Sequence, residues 1–111
     1  MKVLVCGGRD FADYAYLCSI LSAIKIEVLV AGGCRGADLL ARKYAFAEKI
    51  PYVEYPAEWD RYGKSAGFRR NEDMARREKP DLVVAFKGGN GTAHMKTIAK
   101  QYGIAVQEFN N

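Results

Sequence analysis

No hydrophobic run in this sequence approaches the ~20 residues that a membrane span requires. The short apolar run Val3–Cys6 near the N-terminus stops at Gly7-Gly8, which makes it a first strand and too short for a signal peptide. Cysteine is scarce and odd in number: Cys6, Cys18 and Cys34, with no CxxC pair. That excludes a disulfide framework and a cysteine zinc site. Cys6 in an apolar run and Cys18 in a helical stretch are read as reduced and buried, which points to a reducing, cytoplasmic setting. His94 is the single histidine. There is no linker, no low-complexity stretch and no block of like charge. Two nucleotide-binding spacings are also missing. Without GxGxxG or a Walker A GK[ST], neither an ordinary NAD site nor a P-loop ATPase is supported.

What is there fits one domain, residues 1–111, of ordinary globular balance: 50% hydrophobic and 27% charged residues exclude wholesale disorder. A chain of this length buries roughly 65% of its unfolded surface, enough for a core without staples. The net charge of +4 leans towards anionic partners such as nucleotides, nucleic acid or acidic surfaces, without choosing among them.

A unit recurs. Val3–Cys6 runs into Gly7-Gly8, Val28–Ala31 into Gly32-Gly33, and Leu82–Phe86, after Lys87, into Gly88-Gly89. Each run is near-continuously apolar, as strands covered on both faces are. Helical periodicity follows at 12–24, where Tyr14, Leu17, Leu21 and Ile24 share a stripe, and at 37–48, 65–78 and 92–102. Gly103 caps the last helix. Residues 51–55 and 104–108 are weaker strands, suited to sheet edges. The alternation predicts a three-layer α/β/α, Rossmann-like domain on a five-stranded parallel sheet. Eight of the eleven glycines fall in the turns after strands 1, 2 and 4. Those turns form one continuous rim in the strand order 3-2-1-4-5, which is therefore preferred to 2-1-3-4-5.

Ligands of such sheets bind beyond the carboxyl ends of the strands, at the switch point between strands 1 and 4. Glycine admits a ligand close to backbone N–H groups, and a helix N-terminus behind it favours an anion. The expected phosphate cradle is Gly88-Gly89-Asn90-Gly91-Thr92, supported by Gly7, Gly8 and Arg9. Gly32, Gly33, Arg35 and Asp38 are expected to meet a ribose or second phosphate, and Arg70 and Asn71 to close the pocket. Guanidinium groups suit phosphate because they bind it bidentately. Trp59 and Tyr62 are read as covering a core edge, with base stacking as the alternative. Asp10 and Asp38 stand near helix starts, where capping accounts for them. Together with Glu72 they are the only carboxylates offered for catalysis, and Glu72 is otherwise an exposed helix residue. Cys34, near a helix start, has no second cysteine or histidine beside it to support a redox or nucleophilic role.

In order along the chain, Gly7-Gly8-Arg9-Asp10-Phe11, Gly32-Gly33-Cys34-Arg35-Gly36-Ala37-Asp38, Gly67-Phe68-Arg69-Arg70-Asn71 with Met74, Pro80–Phe86 and Gly88–Ala93 resemble the SLOG superfamily of SMF/DprA and LOG Rossmann-like proteins. The branch they are most similar to is the YspA/cpYpsA-related one. The resemblance implies a pocket for nucleotides or nucleotide-derived signals. LOG enzymes cleave nucleoside 5′-monophosphates and carry PGGxGTxxE, where this chain has Lys87 for the proline and Met95 for the glutamate. A thioether carries no proton and no charge, so LOG-type hydrolysis loses its acid. His94 does not replace it, pointing about 100° away on a helix.

The expected function is therefore binding of a nucleotide or ADP-ribose-like ligand, as a sensing or sequestering domain. A LOG-like phosphoribohydrolase is the alternative. DprA-like binding of single-stranded DNA ranks third, because no basic stripe with interleaved aromatics offers a strand a track. The sequence calls for no metal and no cofactor. An open-edged sheet is compatible with a homodimer.

Overall fold

A computed structural model describes residues 1–110. Five parallel strands, β1 (Lys2–Cys6), β2 (Val28–Ala31), β3 (Tyr52–Glu54), β4 (Leu82–Phe86) and β5 (Ala105–Phe109), form one sheet in the order β3-β2-β1-β4-β5. β1 lies at the centre, with Leu4 beside Val30 on one side and Val83 on the other. This is the expected order, with the two weak strands at the edges.

Alternation along the strands assigns each side chain a face. Val3, Val5, Leu29, Ala31, Val84 and Phe86 point to one side, onto α1 (Tyr14–Leu21) and α2 (Ala37–Ala47). Leu4, Cys6, Val30, Val83 and Ala85 point to the other, onto Met74 and Ala75 and onto Met95, Ile98 and Ala99 of α5 (Asn90–Gln101). Two apolar faces explain why the central strands carry almost no polar residue.

Local signals set the helix ends. The Asp13 carboxylate caps α1, accepting the Tyr16 N–H at 3.0 Å; Asp10, near the same helix start, is not its cap. Gly103 follows the end of α5 with φ +69, the left-handed conformation glycine favours there.

The segment expected as one helix over 65–78 is broken into pieces. A short α3 (Trp59–Tyr62) leads through a 3-10 turn (Gly63–Ser65) into α4 (Ala66–Asp73), which ends in a π-helical turn (Met74–Glu78). The helix expected over 92–102 starts two residues earlier, at Asn90, so Gly91 and Thr92 belong to its first turn. Cys6 is buried as expected, but Cys18 is only half-buried. No helix among the described residues is long and apolar enough to cross a membrane.

Candidate functional site

The ends of β1, β2 and β4 open into a cavity of about 830 Å³, within the range of small-molecule sites. It lies at the switch point between β1 and β4. Three loops meet there through their backbones. The Gly8 N–H donates to the Lys87 carbonyl at 2.9 Å, and the Gly8 carbonyl accepts from Phe11 and Ala37, both at 3.2 Å. A Cβ on Gly8 would stand 3.0 Å from the Gly88 Cα, and one on Gly88 would stand 2.7 Å from the Gly8 nitrogen and collide with the Thr92 hydroxyl. A Cβ on Gly36 would strike the Gly8 carbonyl. These glycines let one loop lie on another.

Gly89 and Gly91 differ from them. A Cβ on either meets nothing within 4 Å, and both line the cavity. No side chain caps α5. The N–H groups of Gly88, Gly89, Asn90 and Gly91 have no partner among the described residues. At the start of α2 the protein itself takes two donors: the Gly8 carbonyl accepts the Ala37 N–H and the Cys34 carbonyl the Leu39 N–H, while the Asp38 Oδ2 takes the Cys34 N–H at 3.2 Å. At α5 the donors from Gly88 to Gly91 are consecutive, line the cavity and suit an anion.

The charged residues divide in the same way. Arg9, Lys64, Arg70 and Lys87 line the cavity with Asp10, Asp13 and Asp38. The Arg70 guanidinium is held by protein acceptors: Nη1 donates to the Gly32 carbonyl at 2.9 Å and to the Tyr55 carbonyl at 3.4 Å, and Nε to Asn71 Oδ1 at 3.0 Å. Arg70 thus ties α4 to the ends of β2 and β3. Asn71 is buried, and its Nδ2 donates to the Gly91 carbonyl and to His94 Nδ1, both at 3.2 Å. Arginine only donates and a carbonyl only accepts, so the amide orientation is fixed. His94 Nδ1 must then accept, and Nε2 carries the proton. Burial lowers the His94 pKa, with the Glu72 charge partly offsetting it.

Among the described residues, Asp38 is the one buried carboxyl in the cavity wall. Burial raises its pKa to about 6, against the lowering effects of the Cys34 N–H, the Arg70 charge and the Gly32 N–H; Glu54 raises it further. Cys6, at the cavity floor, is raised by burial to about 12 and stays a thiol at neutral pH.

Several expected site residues lie elsewhere. Gly33 and Arg35 face a shallower neighbouring depression, which shares Arg9 and Trp59 with the main cavity. Arg35 is exposed there, its Nη2 3.5 Å from Asp10. Glu72 lies outside the cavity wall, exposed, 3.5 Å from the Tyr102 hydroxyl. Trp59 does not cover a core edge: α3 buries no residue, and the indole is half-exposed at the cavity. Phe68, Lys64 and Lys87 line the cavity although the sequence reading gave them no role; their neighbours Gly67 and Gly88 were the available signal. Among the described residues, no three His, Cys, Asp or Glu side chains are placed to hold a metal ion.

Residues 1–62, which carry β1 through α3 and the first two glycine turns, match the family model described as the YspA, cpYpsA-related SLOG family. The chain belongs to this family. A SLOG-family chain of this length is also similar to the Gene 61 protein of Mycobacterium phage D29, 35% identical over 125 aligned residues that cover 99% of this chain and 97% of that protein. The similarity therefore runs through α4 and the 88–92 turn, beyond the reach of the family model. Met95, which stands where LOG enzymes carry glutamate, is fully buried in the apolar cluster and does not line the cavity of this SLOG domain.

Proposed function

We propose that this SLOG domain binds a nucleotide or nucleotide-derived ligand, its phosphate on the N-terminus of α5. The observation that carries this reading is the row of unpartnered N–H groups from Gly88 to Gly91 beside a cavity with four cationic side chains. Gly89 and Gly91 leave the approach clear, and the helix adds about half a positive charge. Arg9, Lys64 and Lys87 supply charge to the phosphate. Arg70 and Asn71 hold the wall in place and spend most of their hydrogen bonds within the protein. Membership of the SLOG family supports the same class of ligand.

Asp38 favours a second reading, hydrolysis of the N-glycosidic bond. A carboxyl with a pKa of about 6 is suited to proton transfer near neutrality. It would have to act without the LOG glutamate, because position 95 faces the core.

A thermal-shift screen with nucleoside mono-, di- and triphosphates and ADP-ribose tests the binding reading. A ligand at a hundred times its Kd adds about 2.7 kcal/mol, a midpoint rise of roughly 10 °C for a domain of this size. Gly89→Leu is expected to abolish the shift while the protein stays folded. No shift from any of these compounds defeats the reading. Release of free base that Asp38→Asn abolishes would establish the hydrolytic one.

A further inference from the structure

Among the described residues, two of the five large hydrophobic side chains left exposed, Trp59 and Phe68, line this same cavity. Neither is held there by packing of its own element. α3 buries none of its residues, and Trp59 is its first. Phe68 is the apolar residue in the otherwise polar run Phe68–Asp73 of α4 and stands half-exposed. Water contact on two large rings is unfavourable unless something covers them.

The surroundings of the rings select the occupant. The Arg9 guanidinium lies 5.8 Å from the centre of the Trp59 ring, a cation on an aromatic face. Phe68 stacks on His94, ring centres 4.1 Å apart and planes 23° apart. Between them in the wall is Gly67, where a Cβ would touch the edge of Trp59 at 3.5 Å. Flat rings, a cation and a residue without a side chain suit a planar, polarisable group better than an alkyl chain. The unpartnered N–H groups of α5 open into the same cavity, so the occupant has a flat end and an anionic end.

We propose that Trp59 and Phe68 form a stacking subsite for the nucleobase of the ligand. This rests on the nucleotide reading above and adds to it where the base lies and which residues set the preference for nucleotides over sugar phosphates. Sequence-tolerant stacking of this kind is worth roughly ten- to a hundredfold in affinity for one base.

The chain's single tryptophan is the reporter. The four ribonucleoside 5′-monophosphates and ribose 5-phosphate are titrated into the full chain, followed by tryptophan fluorescence and, independently, by calorimetry. At least one nucleotide is expected to quench the fluorescence and bind ten or more times tighter than ribose 5-phosphate. Trp59→Leu should remove most of that advantage and change ribose 5-phosphate affinity less than twofold, with Trp59→Phe recovering part of it. Phe68→Ala should act in the same direction, and circular dichroism reports whether each variant is folded. If ribose 5-phosphate and the nucleotides bind equally, or if folded Trp59→Leu and Phe68→Ala keep the full advantage, the stacking subsite is wrong and the phosphate reading stands. If neither ribose 5-phosphate nor any nucleotide binds, both fall.

Discussion

Gly8 and Gly88 meet backbone to backbone: a Cβ on Gly8 would stand 3.0 Å from the Gly88 Cα. The contact joins the ends of β1 and β4, where the strand order switches from one side of β1 to the other. It separates the glycines of the rim into two kinds. Gly88→Ala must push into the Gly8 nitrogen and the Thr92 hydroxyl, and overpacking of this sort costs about 1–3 kcal/mol. Gly91→Ala meets open space in the first turn of a helix, where alanine is favoured over glycine by about 0.5–1 kcal/mol. Urea denaturation should therefore show a loss for Gly88→Ala and a small gain for Gly91→Ala. Equal effects would mean that the two loops are not in contact.

Asn71 serves three partners at once: Arg70 beside it in α4, and the Gly91 carbonyl and the His94 ring in α5. Asn71→Ala strands a guanidinium N–H and an imidazole nitrogen in a partly buried place, while the Gly91 carbonyl keeps its helical partner. Each unsatisfied group costs about 1–3 kcal/mol, and waters admitted to the space recover part of that. A net loss of about 2–3 kcal/mol is expected in urea denaturation. A loss below about 0.5 kcal/mol, the scale of an ordinary surface substitution, would show that the network is not formed.

Asp38 gives stability a definite pH slope. Its folded pKa, about 6, lies above the ordinary aspartate value of 3.8. Between these values the folded protein holds a proton that the unfolded chain has lost, so this group's contribution falls as pH rises from about 4 to 6. At about 1.4 kcal/mol per unit, the penalty at pH 7 is on the order of 3 kcal/mol. Asp38→Asn removes it, so the variant should gain on the wild type between pH 4 and 7. His94 acts in the opposite sense. Its lowered pKa means that stability present above the unfolded value of about 6.5 is lost as pH falls through it. Melting temperatures of both proteins across pH 4–8 separate the two groups. Parallel curves would remove Asp38 from the account.

Met95→Glu restores the LOG spacing but places a carboxylate in the buried apolar cluster that also holds Leu4, Val83 and Ala99. A buried, unpaired carboxylate costs several kcal/mol. The variant is expected to be strongly destabilised and to release no base from nucleoside monophosphates. A stable variant that hydrolyses them would show that position 95 reaches the cavity.

The sequence by itself determined the strand order. Two-sided burial forces the central strands to be apolar throughout, and the glycine turns that end them must adjoin if they share one site. It also determined where the cavity would open, since a parallel sheet leaves its ligand crevice at the strand ends. It did not decide which glycine faces a ligand. Gly8 and Gly89 look alike in a string of letters, yet one is pressed against Lys87 and Gly88 while the other borders empty space. The same holds for Arg70 and Arg9. Both precede a polar residue near a glycine, but only the fold brings the carbonyls of Gly32 and Tyr55 to Arg70 and leaves Arg9 over Trp59. Periodicity records which face of an element is apolar; it holds no information on which distant carbonyl will fill a donor. Those pairings belong to the tertiary structure, because they are made between segments that sequence separation keeps far apart.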